Sequence, residues 1–194
     1  MSHSAAHDRR VALTVTTVGM LAATLNMSIL LISLPAIFDG LGLDPLAPAN
    51  ISYLLWMLMG YLLVTAVLVV TFGRLGDQYG RAKLFNLGFL IFTLASVACA
   101  LVPSSGSAGA LELIAMRIVQ GVGGAMLTAN STAIITDAFP ADRRGFALGV
   151  NQVAALAGSF AGLVIGGVLS EWHWRAVFWV SVPVGVWGTW VGYR

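Results

Sequence analysis

The sequence predicts an all-α membrane protein of six transmembrane helices with both termini in the cytoplasm. Three observations carry that expectation. Of the 194 residues, 58% are hydrophobic and 9% are charged, with a mean hydropathy of +0.89. A soluble domain carries roughly a quarter of its residues as Asp, Glu, Lys and Arg, so the polar side chains that would cover a water-facing globule are missing. The few charges divide the chain into apolar runs of about 20 residues, the length that crosses a bilayer. Finally, Lys and Arg fall almost wholly on alternate connections, as they do in membrane proteins with cationic cytoplasmic loops.

The elements follow in order. Nothing ionisable lies between Arg10 and Asp39, so the first span falls within 11–38. The second covers about 51–72, the third 84–102, and the fourth 113–135, interrupted only by Arg117. The fifth covers 145–170 and the sixth 176–193, which is the shortest but still inside the ~17–25 residue window. A cytoplasmic tail, 1–10, precedes a bundle that takes up 11–194. The connections 39–50, 73–83, 103–112, 136–144 and 171–175 are too short for a soluble domain, which places the function within the lipid bilayer.

Orientation comes from the cations. Arg9, Arg10, Arg74, Arg81, Lys83, Arg143, Arg144 and Arg194 all fall on one side, and the opposite loops hold only Arg175. The Arg9-Arg10 pair resembles the start of a signal peptide. The apolar run after it exceeds the ~7–15 residues of a cleavable segment and no small-x-small site ends it, so it reads as a retained first helix. Trp172, Trp174 and Trp179 at one face, and Trp187, Trp190 and Tyr193 towards the other, fit interfacial aromatic belts.

Several classes of function are excluded. A formal charge of +2 spread along the chain offers no footprint for nucleic acid. The single cysteine, Cys99, sits in an apolar run and fills space between helices. No metal-ligand, phosphate-binding or nucleophile constellation is present, so no metal, cofactor or catalytic residue is assigned, and an enzyme is excluded. His173 stands alone in an outer loop as a solvated group.

Four polar features go beyond membrane embedding. The segment Gly73-Arg74-Leu75-Gly76-Asp77-Gln78-Tyr79-Gly80-Arg81-Ala82-Lys83 sets Asp77 among cations, with Gly76 and Gly80 permitting a tight turn. Its carboxylate can pair with Arg81, or with Arg143 and Arg144, or can face a helix N-terminus. Arg117 lies inside the fourth span, followed by Gln120, Gly121, Gly123 and Gly124. A guanidinium costs several kcal/mol in hydrocarbon and is rare there without a partner or an aqueous path. Gly158, Gly162 and Gly166 recur every four residues, with Gly167 beside them, as a smooth face for close helix packing. Asn26, Asn130, Asn151 and Gln152 are polar groups in or near spans that could line a cavity, although interhelical hydrogen bonds explain them as well. The methionines, Met27 among them, read chiefly as packing against core and lipid.

On these residues the chain resembles the major facilitator superfamily. Gly73, Leu75, Asp77, Gly80 and Arg81 match the superfamily's loop signature G-x-L-x-D-x-x-G-R-R/K-x, with Lys83 next to the last basic position. The resemblance implies that this loop latches a cytoplasmic gate. Arg117, Gln120, Gly121, Gly123 and Ala125 match R-x-x-Q-G-x-G-x-A, whose arginine the resemblance associates with proton movement. The glycines of the fifth span resemble the antiporter pattern G-x-x-x-G-P-x-x-G-G, with Leu163 where the proline belongs. In the first span the fourteen-helix drug:proton antiporter group, the nearest in pattern, has D-x-T-x-V-N-x-A-L-P, whereas this chain begins with Asn26 and keeps Ser28, Leu34 and Pro35. An amide takes up no proton near neutral pH, so this span offers no carboxylate for coupling.

The resemblance implies a major-facilitator-type bundle of two inverted three-helix repeats. It also implies multidrug or metabolite efflux driven by protons or another coupling ion, across the plasma or inner membrane. Two such bundles flank a substrate site in that superfamily, so the chain is expected to need a C-terminal half, in the same polypeptide or as a second chain. A rival expectation is a non-transporting scaffold or regulator that docks on another transporter through its glycine faces.

Overall fold

The computed structural model describes residues 2–192, and side chains from residue 8 onward; Tyr193 and Arg194 lie outside the described residues. The described residues form helices and no strands. They are α1 (Ser2–Leu41), α2 (Ile51–Tyr79), α3 (Arg81–Ala100), α4 (Gly106–Ala138), α5 (Ala141–Trp172), α6 (Ala176–Trp179) and α7 (Ser181–Gly192). The first five are long and apolar enough to cross a membrane. The sixth apolar stretch, Ala176–Gly192, is shorter, and its helical hydrogen-bond ladder breaks at Val180, whose backbone stays helical at φ −60°, ψ −35°. Pro183 explains the break, because it has no N–H for the carbonyl of Trp179 one turn earlier and its ring crowds that carbonyl.

The helices overrun the apolar segments. α2 continues through Arg74 and Asp77 to Tyr79, α4 starts at Gly106, ahead of the apolar run, and α1 already begins at Ser2. Hydropathy marks where lipid ends, whereas a helix ends where its backbone hydrogen bonds do, and a charged turn beyond the bilayer remains helical. The expected 73–83 loop is therefore two helix ends meeting at one residue. Gly80 makes the turn with φ +104°, a conformation that suits glycine, and its N–H still bonds Gly76 O at 2.9 Å. Gly76 does not turn the chain; it is helical and buried. The α4–α5 link is two residues, in which Pro140 holds Phe139 extended at φ −107°, ψ 138°.

α1 and α4 cross at the centre. α1 packs on α5 and more lightly on α7, α4 packs on α2 and α3, and α3 packs on α7. This pairing maps onto itself when α1, α2 and α3 are exchanged with α4, α5 and the α6–α7 pair, the pattern that two interleaved three-helix units produce. α2 and α5 lie outermost: 17% and 22% of their most apolar stretches are buried, against 61% for α4.

Glycine sets the closest crossings. Gly158, Gly162 and Gly166 lie over Leu21, Leu25 and Ile29, so both helices advance four residues per contact. A Cβ on Gly162 would stand 2.6 Å from Leu25 O, inside van der Waals contact. Between α3 and α4, Gly88 faces Gly123, where a Cβ on Gly123 would lie 2.8 Å from Gly88 O. Gly167 faces open space.

The apolar core has two parts. One joins Ile37, Phe38, Leu113, Val177 and Phe178 with the buried thiol of Cys99; the other joins Val15, Tyr61, Phe85, Phe89, Phe92 and Leu127. Trp174 belongs to the first part and is 5% exposed. It is a core residue under Gly40, not a member of the expected belt. Arg175 stacks over its ring at 4.4 Å and donates to Val102 O at 2.8 Å.

Candidate functional site

Arg117 is wholly buried where α1, α2 and α4 meet. Its Nη1 donates to Asn26 Oδ1 of α1 at 2.5 Å and to Gln120 Oε1 one turn along α4. Nη2 approaches Met27 Sδ at 3.8 Å, and the guanidinium carbon lies 4.6 Å from the centroid of the Tyr61 ring of α2. Such a stack is worth about 2 kcal/mol when desolvated. Gly124 and Gly121 make room for it, since side chains there would strike the Tyr61 hydroxyl and backbone.

A further set of groups orients these partners. Arginine only donates, so Asn26 and Gln120 turn their oxygens towards it and their amino groups away. Asn26 Nδ2 then donates to Ser181 Oγ of α7 at 3.1 Å, and Gln120 Nε2 to Ser96 Oγ of α3 at 2.6 Å. Ser96 in turn donates to Phe92 O at 2.8 Å. One cation thus organises polar side chains from α1, α3, α4 and α7 with an aromatic lid from α2. All of its partners are neutral.

The charged end of the bundle holds a second cluster. Arg81, at the start of α3, contacts Asp77 Oδ1 through Nε at 2.9 Å and Nη2 at 2.7 Å. Its Nη1 reaches α4, at Asp137 Oδ2 (2.7 Å) and Ala133 O (3.1 Å). Arg9 Nε donates to Ala138 O at 3.2 Å, and Arg144 Nε to Phe139 O at 3.0 Å. Three arginines thus gather on carbonyls of the last turns of α4 and of its cap residue Phe139, the negative end of the helix dipole. Just inside, Gly76 admits the Asn130 side chain against α2, and Asn130 Nδ2 donates to Met126 O at 2.9 Å.

The remaining predicted residues separate. Asn151 Nδ2 donates to Ser131 Oγ at 2.9 Å, tying α5 to α4, while Gln152 is exposed. Asn26, Asn130 and Asn151 therefore each bond different partners, and Gln152 faces outward. Lys83 is exposed and Gly73 has no neighbour within 4 Å. Arg143 lies beside Asp142, and Arg144 serves a carbonyl, so Asp77 is left to Arg81. Sequence reasoning missed Asp137, Tyr61, Ser96 and Ser181. Only Asp137 had a signal, as an acid in a connection predicted to share a side with Arg81.

The comparisons can be set against this geometry. The family profile of the Major Facilitator Superfamily matches residues 16–193. The chain belongs to the major facilitator superfamily. It is 33% identical over 185 residues to the riboflavin transporter RibZ of Clostridioides difficile, covering 95% of this chain and 38% of that one. It is 34% identical over 171 residues to the tetracenomycin C resistance and export protein of Streptomyces glaucescens, covering 87% and 30%. A crystal structure of a bacterial homologue of the human lysosomal transporter Spinster, inward-facing and unoccupied, superposes with a TM-score of 0.74 at 21% identity over 96% of this chain and 42% of that one. At that identity the likeness concerns the fold. The chain spans well under half the length of these proteins. Superfamily membership makes this a multi-pass membrane protein of the transporter class, not an enzyme.

Proposed function

We propose that the chain is one six-span bundle of a secondary transporter that moves small molecules, in the manner of a drug or metabolite exporter, across the plasma or inner membrane. The observation that carries this reading is the Arg117 centre, a buried cation held by groups of α1 and α4, stacked on α2, and tied through those groups to α3 and α7. Intramembrane ionisable groups default to transport pathways, and this one lies where α1 and α4 cross. Relatives named as a riboflavin transporter and a tetracenomycin C exporter agree with it. The sidedness of the cations argues for both termini in the cytoplasm. Arg81 then ties α2, α3 and α4 together at the cytoplasmic face, as a gate latch would.

Alternating access needs two bundles that rock about a site between them, so the working unit includes a second bundle, in the same polypeptide or as a partner chain. Proton coupling through Arg117 needs a titrating acid elsewhere, because Asn26 offers none. The test is transport in proteoliposomes, by this chain alone and by this chain with a C-terminal bundle. Uptake that requires the second bundle and is lost in Arg117→Ala supports the reading. Absence of transport in both, with the chain co-purifying with an intact transporter, favours the scaffold reading instead.

A further inference from the structure

The guanidinium of Arg117 has a used edge and an unused one. Nη1 serves Asn26 and Gln120, Nη2 meets only the sulfur of Met27, and Nε–H has no acceptor. Nε–H and Nη2 point in the same direction. Together they form the side-on edge with which arginine grips a carboxylate through two parallel hydrogen bonds. A thioether is a weak acceptor, so the strongest docking edge of a buried cation is covered and not satisfied. Among the described residues, no carboxylate forms an ion pair with Arg117. A buried charge is stable when it is paired, and Asn26, at the nearest position, is a neutral amide.

We infer that the Nε/Nη2 edge of Arg117 binds the carboxylate of a small solute, with Met27 as its movable cover. The inference deepens the transporter reading by naming the charge of the ligand, and rests on that reading for the solute being cargo. Tyr61 stacks on the face of the guanidinium and leaves this edge free in the plane. Arg117 itself has 0% exposure while Met27 is half-buried. Met27 has three flexible bonds about which it can swing aside for a free solute, whereas an acid carried on another bundle would have to displace helices. The neutral amide of Asn26 orients Nη1 without cancelling the charge that a carboxylate needs.

The experiment uses the 194-residue chain in phosphatidylcholine nanodiscs, whose lipid carries no net charge. The probes are sodium benzoate, its neutral isostere benzamide, and sodium chloride, and the readouts are the Arg117 Nε–H resonance and the melting temperature. Benzoate is expected to shift the resonance saturably and raise the melting temperature, benzamide to do neither, and chloride to act far more weakly. Asn26→Asp, which supplies an internal carboxylate, is expected to weaken benzoate binding by about tenfold or more. Should that variant fail to insert, Met27→Leu removes the sulfur, keeps the bulk and is expected to bind benzoate at least as well. The inference is overturned if benzamide or chloride matches benzoate, if Asn26→Asp inserts and binds undiminished, or if Met27→Leu abolishes binding. A resonance insensitive to every probe also overturns it and assigns the edge to an acid of a partner bundle. Benzoate binding with no transport by the chain paired with a C-terminal bundle leaves this inference standing and removes the transporter reading; transport by the paired bundles without benzoate binding does the reverse.

Discussion

Asn26 Oδ1 accepts a 2.5 Å hydrogen bond from Arg117 Nη1 across the α1–α4 crossing, and the same amide donates to Ser181 on α7. One neutral side chain therefore joins three helices and partly compensates a buried charge. Hydrogen bonds to charged groups contribute about 1.5–3 kcal/mol. Asn26→Leu, which removes both bonds and keeps the bulk, is expected to destabilise the bundle by about that amount, lowering the melting temperature in detergent. A melting temperature equal to that of the parent chain would show that Arg117 finds its compensation elsewhere.

Arg81 predicts a different outcome. Its side chain is 30% exposed, and those of Asp77 and Asp137 are 57% and 65% exposed, so solvent and salt screen both pairs. Exposed pairs contribute about 0–1 kcal/mol. Asp77→Asn and Asp137→Asn are each expected to leave insertion and melting temperature nearly unchanged. Arg81→Ala removes every link from α3 to the α4 end and is expected to broaden the distance between spin labels on the charged ends of α2 and α4. The broadening in the parent chain should also grow with ionic strength. An unbroadened Arg81→Ala distribution would mean that packing of Asn130 against Gly76 holds these ends by itself.

These contrasts show what the sequence makes legible. Apolar runs of bilayer length fall within the five helices long and apolar enough to cross a membrane, because lipid imposes that length, and Arg117 stood out because a cation in such a run is costly. Helix ends were less legible, since Arg74 and Asp77 are polar yet remain helical, and a one-residue turn at Gly80 leaves no loop-like composition. Partners across helices were hidden for the same kind of reason. Tyr61 stacks on Arg117 only because Gly121 and Gly124 let α2 approach, and nothing in the α2 sequence marks that face. Asp137 was missed because partners were sought for the Asp77 carboxylate alone, whereas Arg81 holds that acid and a second one 56 residues along the chain.

The glycines of α5 allow a paired test. A Cβ on Gly162 meets Leu25 O and Ser28 Cβ of α1 at 2.6 and 2.8 Å, while one on Gly167 meets nothing within 4 Å. Overpacking of a close contact costs about 1–3 kcal/mol, against a gain in helix propensity of up to about 1 kcal/mol for Gly→Ala. Gly162→Ala is thus expected to lower the melting temperature and Gly167→Ala to leave it unchanged or raise it. Equal effects would place the two glycines in equivalent surroundings, contrary to the packing of α5 on α1.

Pro183 separates α6 from α7, and its removal should join them. With alanine at 183, an N–H becomes available to the carbonyl of Trp179, and the ring that crowds this carbonyl is gone. The side chain at 183 is exposed, so the exchange leaves no cavity. Pro183→Ala is expected to make 176–192 one continuous helix, with a protected amide at residue 183 and slower hydrogen exchange at its neighbours. Closing the hydrogen-bond ladder across Val180 would also shift Ser181 relative to Asn26, whose 3.1 Å bond crosses from α1 to the start of α7. The Arg117 Nε–H resonance should therefore move in Pro183→Ala although no group touching the guanidinium has changed. Slower exchange with an unmoved resonance would show that the break serves only the path of α7 and that the Ser181 link adapts to either helix.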